Sequence, residues 1–265
     1  MLLFKIILAP VLIGLISLAG RRWGHGVAGW LLGVPINSGP LLLFLLLEQG
    51  NRFASEAARA SLLGILAWSA FCITYAFCCV RMAWWWSTLA GWIAWAVVAL
   101  AILPVTLPVA WVFVLVALAL AVALLTFPSA PPEGSLSSQP QQDLWPRMIT
   151  ASVMIVTLTG LAKVLGPTRS GILGAFPAYT TILAVFTQRH GTAATVRVLK
   201  GVTVGLYTAA TFFLVLSLLL LHVGGAMSFV LAAAAGLVVQ GCSLIYVLRG
   251  EADFSEIPTR SEGSL

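Results

Sequence analysis

Apolar runs of roughly helix-spanning length, broken by short polar interruptions, follow one another from the start of the chain to residue 249. A helix needs about 20 apolar residues to cross the ~30 Å hydrocarbon layer. By that measure nine spans are predicted, over 2–20, 26–47, 55–80, 84–103, 108–127, 147–165, 170–188, 194–221 and 226–248. The run 83–127 is too long for one crossing, and Pro104 and Pro108 divide it with a turn. A single kinked helix with a re-entrant piece is the alternative there. The expected fold is an all-α, polytopic transmembrane helix bundle. A first transmembrane repeat plus linking helix is expected over 1–127, a Pro-, Ser- and Gln-rich linker over 128–145, a second repeat over 146–249 and a mobile tail over 250–265.

Composition agrees with this pattern. Of 265 residues, 60% are hydrophobic and 8% charged, against about 25% charged in an ordinary soluble domain. So few charges cannot cover a soluble surface, which argues against nucleic-acid binding and soluble enzymology. The net charge of +6 then reads as loop ends on the cytoplasmic side of a membrane. One side of the expected topology collects Arg21, Arg22, Arg81, Arg147, Arg189, Arg197 and Arg249; the other holds Lys5, Arg52, Arg59 and Arg169. The N-terminus is therefore expected outside and the C-terminus in the cytoplasm. Trp84, Trp85 and Trp86 beside Arg81 follow the interfacial belt pattern, with an aromatic ligand platform as the alternative. Cys72, Cys78, Cys79 and Cys242 lie in apolar runs and are expected to be buried thiols.

The two halves repeat. At an offset of 142, Arg21 falls on Lys163, Gly24 on Gly166, Gly29 on Gly171, Pro35 on Pro177 and Phe44 on Phe186. After the loss of one loop residue, Gly50 meets Gly191, Arg59 meets Lys200, Gly64 meets Gly205 and Phe71 meets Phe212. Ordered coincidences of glycines, a proline and basic residues point to duplication. Five crossings separate the starts of the copies, so the second is expected upside down, an inverted repeat of the kind found in secondary transporters.

Each copy carries a helix interrupted by proline, GWLLGVPINSGPLLLF in the first and GILGAFPAYTTILAVF in the second. Proline removes a backbone donor, and in hydrocarbon the freed carbonyls need polar neighbours. Asn37 and Ser38 follow Pro35, and Tyr179, Thr180 and Thr181 follow Pro177. Matching interruptions in two halves point to a substrate site; the plain alternative is a packing kink. Arg59 and Lys200 are the second constellation, either a pseudo-symmetric anion site or cations snorkelling to headgroups. Glu56, one turn before Arg59, is placed to pair with it. Substrate binding is thus expected at Asn37, Ser38, Arg59, Tyr179, Thr180, Thr181 and Lys200, around helix breaks at Pro35 and Pro177.

Carboxylates concentrate in the linker and tail, and His25, His190 and His222 lie far apart without ligand spacing. No Walker, GxSxG or HExxH motif is present. The reading is therefore not an enzyme, with no cofactor and no metal.

The run Glu56-Ala57-Ala58-Arg59-Ala60-Ser61, preceded by the G-x5-P segment and Gly50, resembles the GlpM-type small bacterial inner-membrane proteins. The likeness covers about residues 2–100 and, more faintly, 147–248, where the run becomes VRVLKG. The resemblance implies a bacterial inner membrane and a repeat of about four spans. The expected function is a transporter or facilitator of a small solute, anionic if the paired cations bind it, or of a lipid headgroup. A non-transporting subunit or assembly factor of an inner-membrane complex is the alternative. Expected partners are membrane lipids, a small-molecule or lipid-linked substrate, and a second copy or a membrane subunit.

Overall fold

Glycine and proline set the ends of the helices. The structure, a computed structural model, describes residues 11, 14–20, 22–35, 38–128, 150, 171–172 and 174–255. Eight helices order them: α1 (His25–Leu32), α2 (Ser38–Gln49), α3 (Asn51–Cys79), α4 (Trp84–Ile102), α5 (Val109–Thr126), α6 (Ala178–Gln188), α7 (Thr192–Leu219) and α8 (Gly225–Ser255). Residues 14–20 are helical too, and all regular structure among the described residues is helical. Gly50 at φ 84° and Gly224 at φ 87° precede α3 and α8 in left-handed conformations that side chains disfavour. Pro108 caps α5, and the chain from Leu103 to Pro108 is a non-helical turn, which makes 83–127 two helices as expected.

Among the described residues five helices, α3, α4, α5, α7 and α8 to Ile245, are long and apolar enough to cross a membrane. That is fewer than the nine expected spans. The breaks at Pro35 and Pro177 cut the second and seventh spans into pieces of 8, 12 and 11 residues, each too short alone. Nearly all of the expected span 147–165 and of the linker 128–145, and the tail beyond residue 255, lie outside the described residues. α8 continues to Ser255, into the first residues of the expected tail, no proline intervening before Pro258.

Two helices form the centre. In their most apolar stretches α3 is 61% buried and α7 67%, whereas α4, α5 and α8 are 28%, 22% and 22% buried. The outer three turn Val97, Leu118, Leu125 and Leu237 outward, a surface matched to hydrocarbon. Cys242, expected to be buried, is exposed on this outer face of α8. The inner face of α3 is instead a run of small residues, Ala54, Ala57, Ala58, Ala60, Ser61 and Gly64, all buried. Small side chains let helix backbones approach closely where lipid offers no hydrophobic drive.

The direction of α3 against α7 follows from two contacts. Ser55, near the start of α3, donates to the Ser217 carbonyl at 2.8 Å, and Ser217, near the end of α7, donates back to the Ser55 carbonyl at 3.2 Å. Further along, Cys72 meets Thr203. Residue numbers rise on one helix as they fall on the other, so α3 and α7 run antiparallel.

The interrupted segments pack reciprocally against this pair. A methyl group at Gly29 would strike the Val198 carbonyl and the Val202 amide of α7; one at Gly171 would strike the Ala57 carbonyl and approach the Ser61 amide of α3. Gly33 lies directly on Gly205, and Gly64 meets Ala175. The sequence offsets of 142 and 141 carry each contact into its counterpart. Each half's interrupted segment is thus clasped by the long helix of the other half.

Candidate functional site at the junction of two interrupted helices

At each break the backbone is completed by local bonds. The Gly33 amide turns back to the Trp30 carbonyl at 3.1 Å, and Gly39 resumes the helix on the Pro35 carbonyl at 2.8 Å. In the second break the amide and hydroxyl of Thr181 both donate to the Pro177 carbonyl at 2.8 Å. One bond joins the two breaks: Ser38 Oγ donates to the Gly174 carbonyl at 3.0 Å. A hydroxyl just after one proline therefore serves a carbonyl just before the other, across 136 residues of sequence.

Between the breaks lies a cavity of ≈ 30 Å³. Pro35 and Ser38 line it from one side, Gly174, Phe176 and Tyr179 from the other, with Trp68 between. Its volume suits about two water molecules. Its walls are largely apolar; the Ser38 hydroxyl and the Tyr179 side chain are its polar features.

The expected site residues divide accordingly. Pro35, Ser38 and Tyr179 come together at the cavity. Pro177 is buried at the second break. Thr180 accepts from Trp68 Nε1 at 3.1 Å and Thr181 from Trp92 Nε1 at 3.2 Å, so both hydroxyls are committed to indoles. Asn37 lies outside the described residues.

Arg59 and Lys200 are not in the cavity lining, and they do not share one site. With Ser55 level with Ser217 and the helices antiparallel, Lys200 stands level with the Cys72 region of α3. That is about 20 Å along the axis from Arg59 at 1.5 Å per residue. Each lies near the start of its own helix, so the antiparallel course of α3 and α7 sends them toward opposite ends. Arg59 Nη1 donates to the Val105 and Leu107 carbonyls at 3.3 and 3.4 Å, bracing the turn between α4 and α5. Glu56 pairs with Arg52 instead, one helical turn earlier, at 3.6 Å on the surface. Arg59 finds better partners in a proline-bounded turn whose carbonyls have no helical donors.

Sequence reasoning overlooked the aromatic wall and a polar network. Phe176 stands edge-on to Trp95 with ring centroids 4.9 Å apart and near Trp92 at 6.1 Å, fixing the second break against α4. Behind the first break, Gln240 of α8 hydrogen-bonds Thr208 of α7 and donates to the Trp30 carbonyl at 3.2 Å. Trp30 Nε1 donates to Ser243 Oγ at 2.8 Å. The signal was present: Gln240 is the one amide side chain in the apolar run 226–248, and a buried amide in hydrocarbon requires partners. Comparison of the chain with protein-family models, with curated proteins and with solved structures finds no match in any of the three.

Proposed function

We propose that this protein is a membrane transporter or facilitator of a small solute or lipid headgroup, working by alternating access between two inverted repeats. The observation that carries the reading is the meeting of both proline breaks at one cavity, bridged by the Ser38–Gly174 bond. Interrupted helices joined at the midpoint between two halves are where transporters of this architecture bind their cargo. The antiparallel course of α3 and α7 and the reciprocal clasp of the interrupted segments support inversion. The substrate contacts are Ser38 and Tyr179, with Asn37 beside them in sequence, and Thr180 and Thr181 shaping the second break. Arg59 and Lys200, at different levels, act at the two opposite mouths, where each attracts an anionic solute in turn. In the bilayer the end bearing Arg81, Arg189 and the start of α7 faces the cytoplasm. The GlpM-type likeness of residues 56–61 supports a bacterial inner membrane.

One observation favours a second reading, a non-transporting subunit of a membrane complex. The cavity is small and spanned at its lining by the Ser38–Gly174 bond, while α4, α5 and α8 offer broad apolar flanks. Reconstitution into liposomes with uptake of anionic and zwitterionic metabolites separates the two. Transport that is lost in Tyr179→Ala but kept in Arg52→Gln supports the carrier; impermeable vesicles containing folded protein support the subunit.

A further inference from the structure

Two turns far apart in sequence are joined at one end of the bundle. Gln188, the last residue of α6, donates from Nε2 to the Met82 carbonyl at 2.9 Å and the Cys79 carbonyl at 3.3 Å. The amide thereby occupies carbonyls left open where α3 ends. It also brings the α3–α4 turn, with Arg81, beside the α6–α7 turn, with Arg189. Both arginines are exposed. Neither flank, 79–92 or 186–200, contains an Asp or Glu to neutralise them.

Next to Arg81 stand three exposed tryptophans, Trp84, Trp85 and Trp86, the last two stacked with centroids 4.3 Å apart. Indoles exposed at the end of an apolar helix settle at headgroup depth. Two guanidinium groups held at that depth present planar, paired donors suited to phosphate oxygens.

We propose that the clamped turns around Gln188 form a docking surface for an anionic phospholipid, with Arg81 and Arg189 on its phosphate and Trp85–Trp86 against its glycerol and upper acyl region. The surface is independent of the transport reading, since it lies at the end of the bundle and not at the breaks. Its partner is set by charge: a headgroup with net negative charge completes the two arginines, and a zwitterionic one brings its own cation into their field.

The test is native mass spectrometry of the purified full chain with equal amounts of dioleoyl-phosphatidylglycerol and dioleoyl-phosphatidylcholine. Phosphatidylglycerol should be retained in preference. The double variant Arg81→Gln/Arg189→Gln should lower its retention about thirtyfold, and each single variant about fivefold. Arg52→Gln, an exposed cation at the other end, should leave it unchanged. Melting temperatures in detergent identify any variant that fails to fold, and the single variants then carry the result. Equal retention of the two lipids, or full retention by folded arginine variants, overturns the proposal. So does displacement of the lipid by millimolar inorganic phosphate, which would make soluble phosphate the ligand.

Discussion

Ser38 and Gly174 are joined by a hydrogen bond of 3.0 Å that crosses from the break after Pro35 to the break before Pro177. The hydroxyl meets a carbonyl whose α-helical donor, the Ala178 amide, turns to the Phe176 carbonyl at 2.8 Å instead. Because each break supplies half of the bond, neither half of the chain holds the junction alone. Ser38→Ala should lower stability by about 1 kcal/mol, the usual worth of a polar contact within a membrane bundle. Unfolding in mixed micelles measures it, and Ser38→Thr should recover most of the loss. If the carrier reading holds, the alanine variant also leaks solute, because the tie closing the junction is gone.

The crossing of Gly33 on Gly205 leaves no room for a side chain. Gly205→Val should cost about 1–3 kcal/mol or prevent assembly, since overpacking displaces whole backbones here. Gly241→Ala, where an added methyl meets nothing within 4 Å, should be neutral or slightly stabilising. Thermal melting with size-exclusion profiles of both variants checks the contrast.

Gln240 ties α8 to α7 and to the end of α1. Gln240→Leu should destabilise by about 1 kcal/mol, because Thr208 and the Trp30 carbonyl lose a partner in a dry interior. Adding Thr208→Val should recover part of that loss, as it removes one of the stranded groups. A double-mutant cycle on unfolding free energy reads the coupling; strict additivity would contradict the network.

Arg59 braces the turn between Pro104 and Pro108 through two carbonyls. Arg59→Gln should raise hydrogen exchange at Val105, Thr106 and Leu107 by about tenfold, since charge-assisted bonds are being lost. Lys200→Gln, about 20 Å away along the helices, should leave that segment unchanged. Equal effects of the two variants would mean that the cations share a site after all.

Much of the bundle was legible before any coordinates. The turn at Pro104 and Pro108 follows from the covalent properties of those residues, which act within a turn of themselves, whereas α3 and α7 begin at Asn51 and Thr192, ahead of the expected starts at 55 and 194. The correspondence of Pro35 with Pro177 was legible for the same reason. Arg59 illustrates the opposite case. Its spacing from Glu56 allowed a helical ion pair, yet the guanidinium serves a turn 46 and 48 residues away, and Glu56 goes to Arg52.

The sequence by itself determined that the chain is helical, that its helices suit a bilayer, and where they are interrupted, because hydropathy and proline act locally. Tertiary structure decided which carbonyl each freed hydroxyl reaches, that Ser38 and Tyr179 face one cavity while Thr180 and Thr181 turn to indoles, and that Arg59 and Lys200 stand apart. Those outcomes depend on how α3 and α7 cross. That crossing is set by contacts such as Ser55 with Ser217 and Cys72 with Thr203, between residues too distant in the chain for any local pattern to pair.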